Sequence, residues 1–214
     1  FVARILTVKE PFVDPTLFAR GPFLAGTITA FGVWALLIGF FFLTPLMLTE
    51  LKGLNQQAIS LVLFPGSISG VFFGPLGGRL ADKIGNRFVL LLGGALTAAS
   101  LAAAAFLLPY GVWWLSADLL FAYIGFSFLQ TGLINAVSQT LPEHETGVGM
   151  GVFNLIGILA GAVGAALVAK GLETKVLDFA GMLIALAATA VVFVGAYAFT
   201  LKKGNVGAAV PVGD

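Results

Sequence analysis

Asp118 is the only acidic side chain set inside a long apolar run, about one turn beyond Trp114. A carboxyl in a membrane interior is costly to keep there, so its presence implies a task, and reversible proton binding is the chemistry such a group offers. The plainer alternative is a cap or anchor that holds a helix at the membrane surface. Further along the same run, Ser127, Thr131, Asn135 and Ser138 recur at steps of four, four and three, with Gln130 flanking them. That spacing places the four on one helical face. Polar groups inside a spanning run face protein or water in preference to lipid. The face is therefore expected to line a central cavity, with Gln130, Thr131 and Asn135 touching a small-molecule substrate, or else to form a hydrogen-bonded seam against another helix. Asn154, in the next apolar run, invites the same two readings.

A second group of residues is Gly78-Arg79-Leu80-Ala81-Asp82-Lys83-Ile84-Gly85-Asn86-Arg87, a basic stretch between two hydrophobic runs. It reads as a short loop joining two antiparallel spanning helices. Gly78 and Gly85 permit the positive φ or close approach of a tight turn. Asp82 lies where it can bind basic side chains or face the positive N-terminus of a neighbouring helix. Arg79, Lys83 and Arg87 are expected either to pair with Glu143 and Glu145 or to stay solvated as topology anchors. Upstream, Pro65 removes one backbone hydrogen bond and is expected to kink its helix, making Pro65 and Gly66 a candidate hinge, with Gly70 beside them. Ser67 and Ser69 are expected to satisfy the backbone groups so freed. Gly157 and Gly161 form a GxxxG pair that permits close helix approach, here expected against a partner outside these helices.

Other chemistries find no residues. His144 is the sole histidine and there is no cysteine, so no metal site is expected. No Gly-x-x-x-x-Gly-Lys-Ser/Thr loop and no nucleophile–base pair occurs, so neither ATP hydrolysis nor another catalytic activity is expected, and no cofactor. A net charge of +1 gives no footprint for a nucleic-acid partner.

The elements that must position these residues are spanning helices. The chain is 59% hydrophobic and only 10% charged, with a mean hydropathy of +1.04. Soluble domains carry about a quarter charged residues. A spanning helix needs about 20 mostly apolar residues, and six segments qualify: within 21–49, within 53–78, from Phe88 to near Pro109, from about Gly111 to Pro142, from Thr146 to Ala169, and from Phe179 to Leu201. Open sheet edges cannot be satisfied in lipid, so the expected fold is all-α, a bundle of six transmembrane helices. Residues 1–20 read as a cytoplasmic segment or linker, 21–203 as the bundle and 204–214 as a flexible tail. With the Arg79–Arg87 stretch inside, the inner segments hold eight Lys and Arg against three outside, Lys52, Lys170 and Lys175, so both termini are expected to be cytoplasmic. Tyr110, Trp113 and Trp114 cluster where an outer interfacial belt would hold them.

The pattern Gly78-x-Leu80-x-Asp82-Lys83-x-Gly85-x-Arg87 resembles the signature loop of the major facilitator superfamily, found after the second helix of each six-helix half. The resemblance extends over roughly residues 20 to 170. Phe64-Pro65-Gly66-Ser67-Ile68-Ser69-Gly70, Phe73-Gly74-Pro75-Leu76-Gly77-Gly78, and Glu145-Thr146-Gly147-Val148-Gly149-Met150 with Asn154 are similar to the C-terminal half of fourteen-helix drug–proton antiporters of the tetracycline-resistance type. The resemblance implies the last six helices of such a transporter, with an N-terminal half preceding Phe1 or a second copy as partner. It also implies that Gly78, Asp82, Gly85 and Arg87 act as a latch on the cytoplasmic side, and that drugs and protons are the cargo. Tetracycline members carry an acid in the middle of the next-to-last helix, and the matching position here, about Gly161, has none. A facilitator or symporter for another substrate class, or a non-transporting membrane scaffold, are the alternative readings; no buried Arg or Lys marks a site for an anionic substrate.

Overall fold

The computed structural model describes residues 21–203, so the expected leading segment 1–20 and tail 204–214 lie outside the described residues. Six long helices follow one another: α1 Gly21–Lys52, α2 Gln56–Ile84, α3 Asn86–Leu107, α4 Val112–Ser138, α5 Thr146–Glu173 and α6 Phe179–Lys203. Each has the length and apolarity to cross a bilayer. Hydroxyls inside them are satisfied locally: Thr27 donates to the Phe23 carbonyl, Thr44 to Phe40 and Thr189 to Ala185, at 2.8–2.9 Å. Such back-bonding is what lets a hydroxyl sit in a spanning helix without an orphaned donor.

The basic stretch is not a loop. Helix α2 continues through Gly78, Arg79, Asp82 and Lys83 to Ile84, and α3 begins at Asn86, so the only break is Gly85, at φ +93°. At about 1.5 Å per residue, the 29 residues of α2 span roughly 43 Å, more than the ~30 Å hydrocarbon core. The charged turns therefore extend the helix past the lipid, where charge no longer argues against helix. Gly78 is helical rather than a turn residue, and the close approach belongs to its neighbour: a Cβ on Gly77 would come within 2.9 Å of the Phe128 ring, against 3.9 Å from Gly78 to Thr131. Helix α2 also runs unbroken through Pro65 and Pro75. Ser67 and Ser69 donate to the Leu63 and Gly66 carbonyls. Neither reaches the Leu61 carbonyl, whose helical donor Pro65 lacks, so the expected rescue by these serines does not occur.

The packing repeats itself within the bundle. α1 lies along α5 as α4 lies along α2; α3 packs on α4 as α6 packs on α1; α3 meets α6, and α1 touches α4. Exchanging the first three helices for the last three reproduces every one of these pairs. Because three is odd, each exchanged helix runs the opposite way, which makes this an inverted repeat of three helices. Its consequence for the site is a layered arrangement: α3 and α6 at the back, α1 and α4 central in front, and α2 and α5 as flanks, each held mainly by one neighbour.

Glycines set the tightest crossings. A Cβ on Gly164 would overlap the Ala35 carbonyl, and one on Gly93 would come 2.6 Å from the Leu129 nitrogen. Gly157 and Gly161 face Trp34 and Ile38 of α1. The GxxxG pair thus packs inside the bundle, not against an outside partner as expected, because the small-residue face is consumed by the α1–α5 crossing.

Candidate functional site

The front of the bundle, made by α1 and α4, carries half-buried side chains, with α5 touching Trp34 at Gly157 and α2 touching Tyr123 at Gly66. Trp34 and Phe41 on α1, with Tyr123, Phe126 and Gln130 on α4, belong to this set. Phe41 stacks at a tilt on Tyr123 (ring centroids 5.4 Å apart) and meets Phe126 edge-on at 6.0 Å. The Tyr123 ring fills the notch left by Gly66 of α2, where a Cβ would lie 2.5 Å from it. Sequence reasoning missed these aromatics, because one ring among many apolar residues gives no contrast; the glycine directly after Pro65 was the available signal.

The expected polar stripe divides. Ser127 and Thr131 sit against α2: Cβ atoms on Gly74 and Gly77 would lie 3.5 Å from the Ser127 hydroxyl and 3.6 Å from the Thr131 Cβ. Both side chains therefore touch α2 while staying only half-buried. Asn135 lies about 140° around α4 from Gln130, so the two amides do not share a face. Its carbonyl accepts from the Ser138 hydroxyl at 3.0 Å and the Gln139 N–H at 3.2 Å. Asn154 is exposed on α5, eight residues from the Thr146 end, and Gln130 lies eight residues from the Ser138 end of α4. Both therefore sit at one level, on the side of the Gly85 break. At Gly161 a Cβ would come 2.6 Å from Ile38, so the space that an acid would need in this helix is already filled.

Asp118 is neither a cap nor a surface anchor. It lies in α4 with only 8% of its surface exposed, and its Oδ2 has no hydrogen-bond partner among the described residues. The surrounding hydroxyls are committed elsewhere: Ser100 of α3 donates to the Asp118 main-chain carbonyl and Ser116 to the Val62 carbonyl of α2, both at 2.8 Å. α4 is thereby tied to α3 and α2 around the carboxyl. The Thr97 hydroxyl of α3 is also buried without a partner among the described residues. Tyr110, Trp113 and Trp114 are exposed at the start of α4, and Lys52 donates to the Tyr110 carbonyl at 2.8 Å.

At the opposite end, Ala81, Asp82, Gly85, Asn86, Arg87, Ala136 and Gln139 line an open groove of about 420 Å³. Asn86 donates to Gln139 at 3.1 Å, tying the start of α3 to the end of α4. Asp82 and Arg87 are exposed on its rim. The expected pairing of Arg79, Lys83 and Arg87 with Glu143 and Glu145 is not formed among the described residues; there the Glu145 carboxylate lies 3.5 Å from His144 instead. Exposed ion pairs gain little over hydration, so nothing compels these side chains to meet. No group of three or more His, Asp or Glu able to hold a metal occurs among the described residues.

Comparison with known proteins gives this geometry a lineage. An "Uncharacterized MFS-type transporter YcnB" of Bacillus subtilis is 26% identical over 182 residues, 82% of this chain and 37% of that protein. The lincomycin resistance protein LmrB of the same organism is 33% identical over 93 residues, 44% of this chain and 19% of its own. The methyl viologen resistance protein SmvA of Salmonella typhimurium is 30% identical over 100 residues, 47% of this chain and 20% of its own. The chain thus spans between about a fifth and two fifths of the relatives it matches. No solved structure matches it. The family model for the Major Facilitator Superfamily matches residues 4–165. With six membrane-spanning helices and the Gly78–Arg87 pattern at the junction of the second and third, this chain belongs to the Major Facilitator Superfamily, a family of membrane transporters.

Proposed function

We propose that this chain is one half of a proton-coupled exporter of drugs or similar hydrophobic molecules, working by alternating access in the cytoplasmic membrane. The observation that carries the reading is the likeness to proteins named for lincomycin and methyl viologen resistance. The front face agrees with it: rings and uncharged amides, with no Lys or Arg to hold an anionic substrate. A second six-helix half, from the same protein or a second copy, covers this face and closes the cavity. The Gly85 end lies on the cytoplasmic side, as Arg79, Lys83 and Arg87 at that end favour, and both termini lie there too. There the exposed Asp82 and Arg87, on the groove beside Gly85, engage the partner half as the latch, while Pro65 and Gly66 give α2 its flexing point. Gln130 and Asn154, at one level, contact the substrate; Thr131 acts indirectly, through the α2 seam, and Asn135 from the adjacent face.

Asp118 is the coupling carboxyl in this reading: buried, with one free oxygen and no cation beside it in the spans. Proteoliposomes holding the full-length protein test it. Drug movement driven by an imposed proton gradient is expected to fall at least tenfold in Asp118→Asn, while gradient-free exchange of labelled for unlabelled drug continues. Wild-type transport indifferent to the gradient would end the coupling claim, and an unaffected Asp118→Asn variant would move it to another residue.

A further inference from the structure

We propose that Phe41, Tyr123 and Phe126 form a stacking surface for planar aromatic molecules at mid-membrane, with Tyr123 the residue that sets this preference. The inference deepens the exporter reading and rests on it. Its first support is depth. Phe41 is eleven residues from the Lys52 end of α1, Gly66 ten from the Gln56 end of α2 and Tyr123 eleven from the Val112 end of α4. All three ends lie on one side of the bundle, so the cluster sits roughly 16 Å inside it, near the middle of a ~30 Å core. Substrate sites of such transporters lie near that plane.

The second support is geometry. Phe41 and Tyr123 meet at an interplanar angle of 39°, and Phe41 and Phe126 at 90°. The three rings are half-buried, so they are held by the core yet keep surface free on the front of the bundle. Offset and edge-on contact is the geometry aromatic rings prefer, and a further flat ring meeting the exposed part of this cluster would pack in the same way. The Tyr123 ring is also seated against α2, in the notch left by Gly66, where a Cβ would lie 2.5 Å from it. A ring seated against α2, stacked on α1 and carried by α4 joins three helices at one point. A flat molecule stacking there touches all three elements at once.

The third support is what the cluster lacks. No charged side chain lies at this level of the described helices; Asp118, the nearest on α4, is five residues (about 7.5 Å) toward the Val112 end and buried. Selection there rests on ring shape and π-surface, not on ion pairing.

The test uses the full-length protein with two probes: ethidium, a planar aromatic, and lincomycin, which has no aromatic ring. In Tyr123→Leu, which keeps bulk in the Gly66 notch, ethidium efflux from cells is expected to drop about tenfold while lincomycin efflux stays within twofold. Tyr123→Phe is expected to keep ethidium efflux within twofold, since the ring and not the hydroxyl does the stacking. Purified protein in detergent should show the same order in ethidium binding by fluorescence. Equal loss of both probes in Tyr123→Leu, or loss of neither, overturns the stacking surface and leaves the exporter reading standing. A wild-type protein that binds and moves neither probe overturns both.

Discussion

Replacing Gly164 by valine is expected to destabilise the bundle by about 3 kcal/mol, the upper part of the usual cost of overpacking. An added Cβ there would overlap the carbonyl of Ala35, a backbone group that has no rotamer to change. Relief requires α5 to move away from α1, and α1 is the helix that holds it: α5 meets α4 and α6 only marginally. The contrast with Gly66 is instructive. There the added Cβ would meet the Tyr123 ring, which can shift at smaller cost. Gly70 and Gly151 provide controls, since nothing lies within 4 Å of their built Cβ positions, and valine at either is expected to change stability by less than about 1 kcal/mol. Thermal unfolding of the purified protein in detergent compares the four variants. A Gly164→Val protein as stable as the controls would mean that the α1–α5 crossing is not formed as described.

Lipid makes some features of such a chain legible and hides others. The six spans could be read directly, because a run of apolar residues long enough to cross a bilayer has few other uses. Charge was misleading at α2. Arg79, Asp82 and Lys83 look like a loop beside a hydrophobic run, yet once a helix has left the hydrocarbon its charged turns cost nothing to continue. Periodicity gave the face shared by Ser127 and Thr131, but the same face can meet water or another helix. Gly74 and Gly77 bring α2 against these side chains, and only three-dimensional pairing of α2 with α4 reveals that. Asp118 was recognisable as unusual, while its burial depends on α3 supplying Ser100 and its neighbours. The aromatic cluster was invisible for the opposite reason: Phe41, Tyr123 and Phe126 are ordinary members of apolar runs until the bundle brings them together.

Gly78 and Gly85 should respond to alanine with opposite signs. Both belong to the pattern that marks the family, and both read as turn glycines in the sequence. In the folded chain, Gly78 is inside α2 and its built Cβ lies 3.9 Å from Thr131, an ordinary contact. Gly78→Ala is expected to leave stability unchanged or raise it by up to ~1 kcal/mol, the helix-propensity gain of alanine over glycine. Gly85 is at φ +93° and ψ 148°, a conformation open to glycine and strained for any residue with a Cβ. Gly85→Ala is expected to cost about 2 kcal/mol, although nothing lies within 4 Å of the new methyl group. The loss would come from backbone strain alone, since space is not limiting. Urea or thermal unfolding in detergent gives the two values. Because one residue separates α2 from α3, that strain has nowhere to spread: relieving it means fraying the last turn of α2 or the first of α3, and the Asn86–Gln139 hydrogen bond resists the second. Spin labels on Lys83 and Phe88 should therefore report a changed separation in Gly85→Ala and none in Gly78→Ala. A destabilised Gly78→Ala beside a neutral Gly85→Ala would reverse the assignment and return the stretch to the loop that its charges suggest.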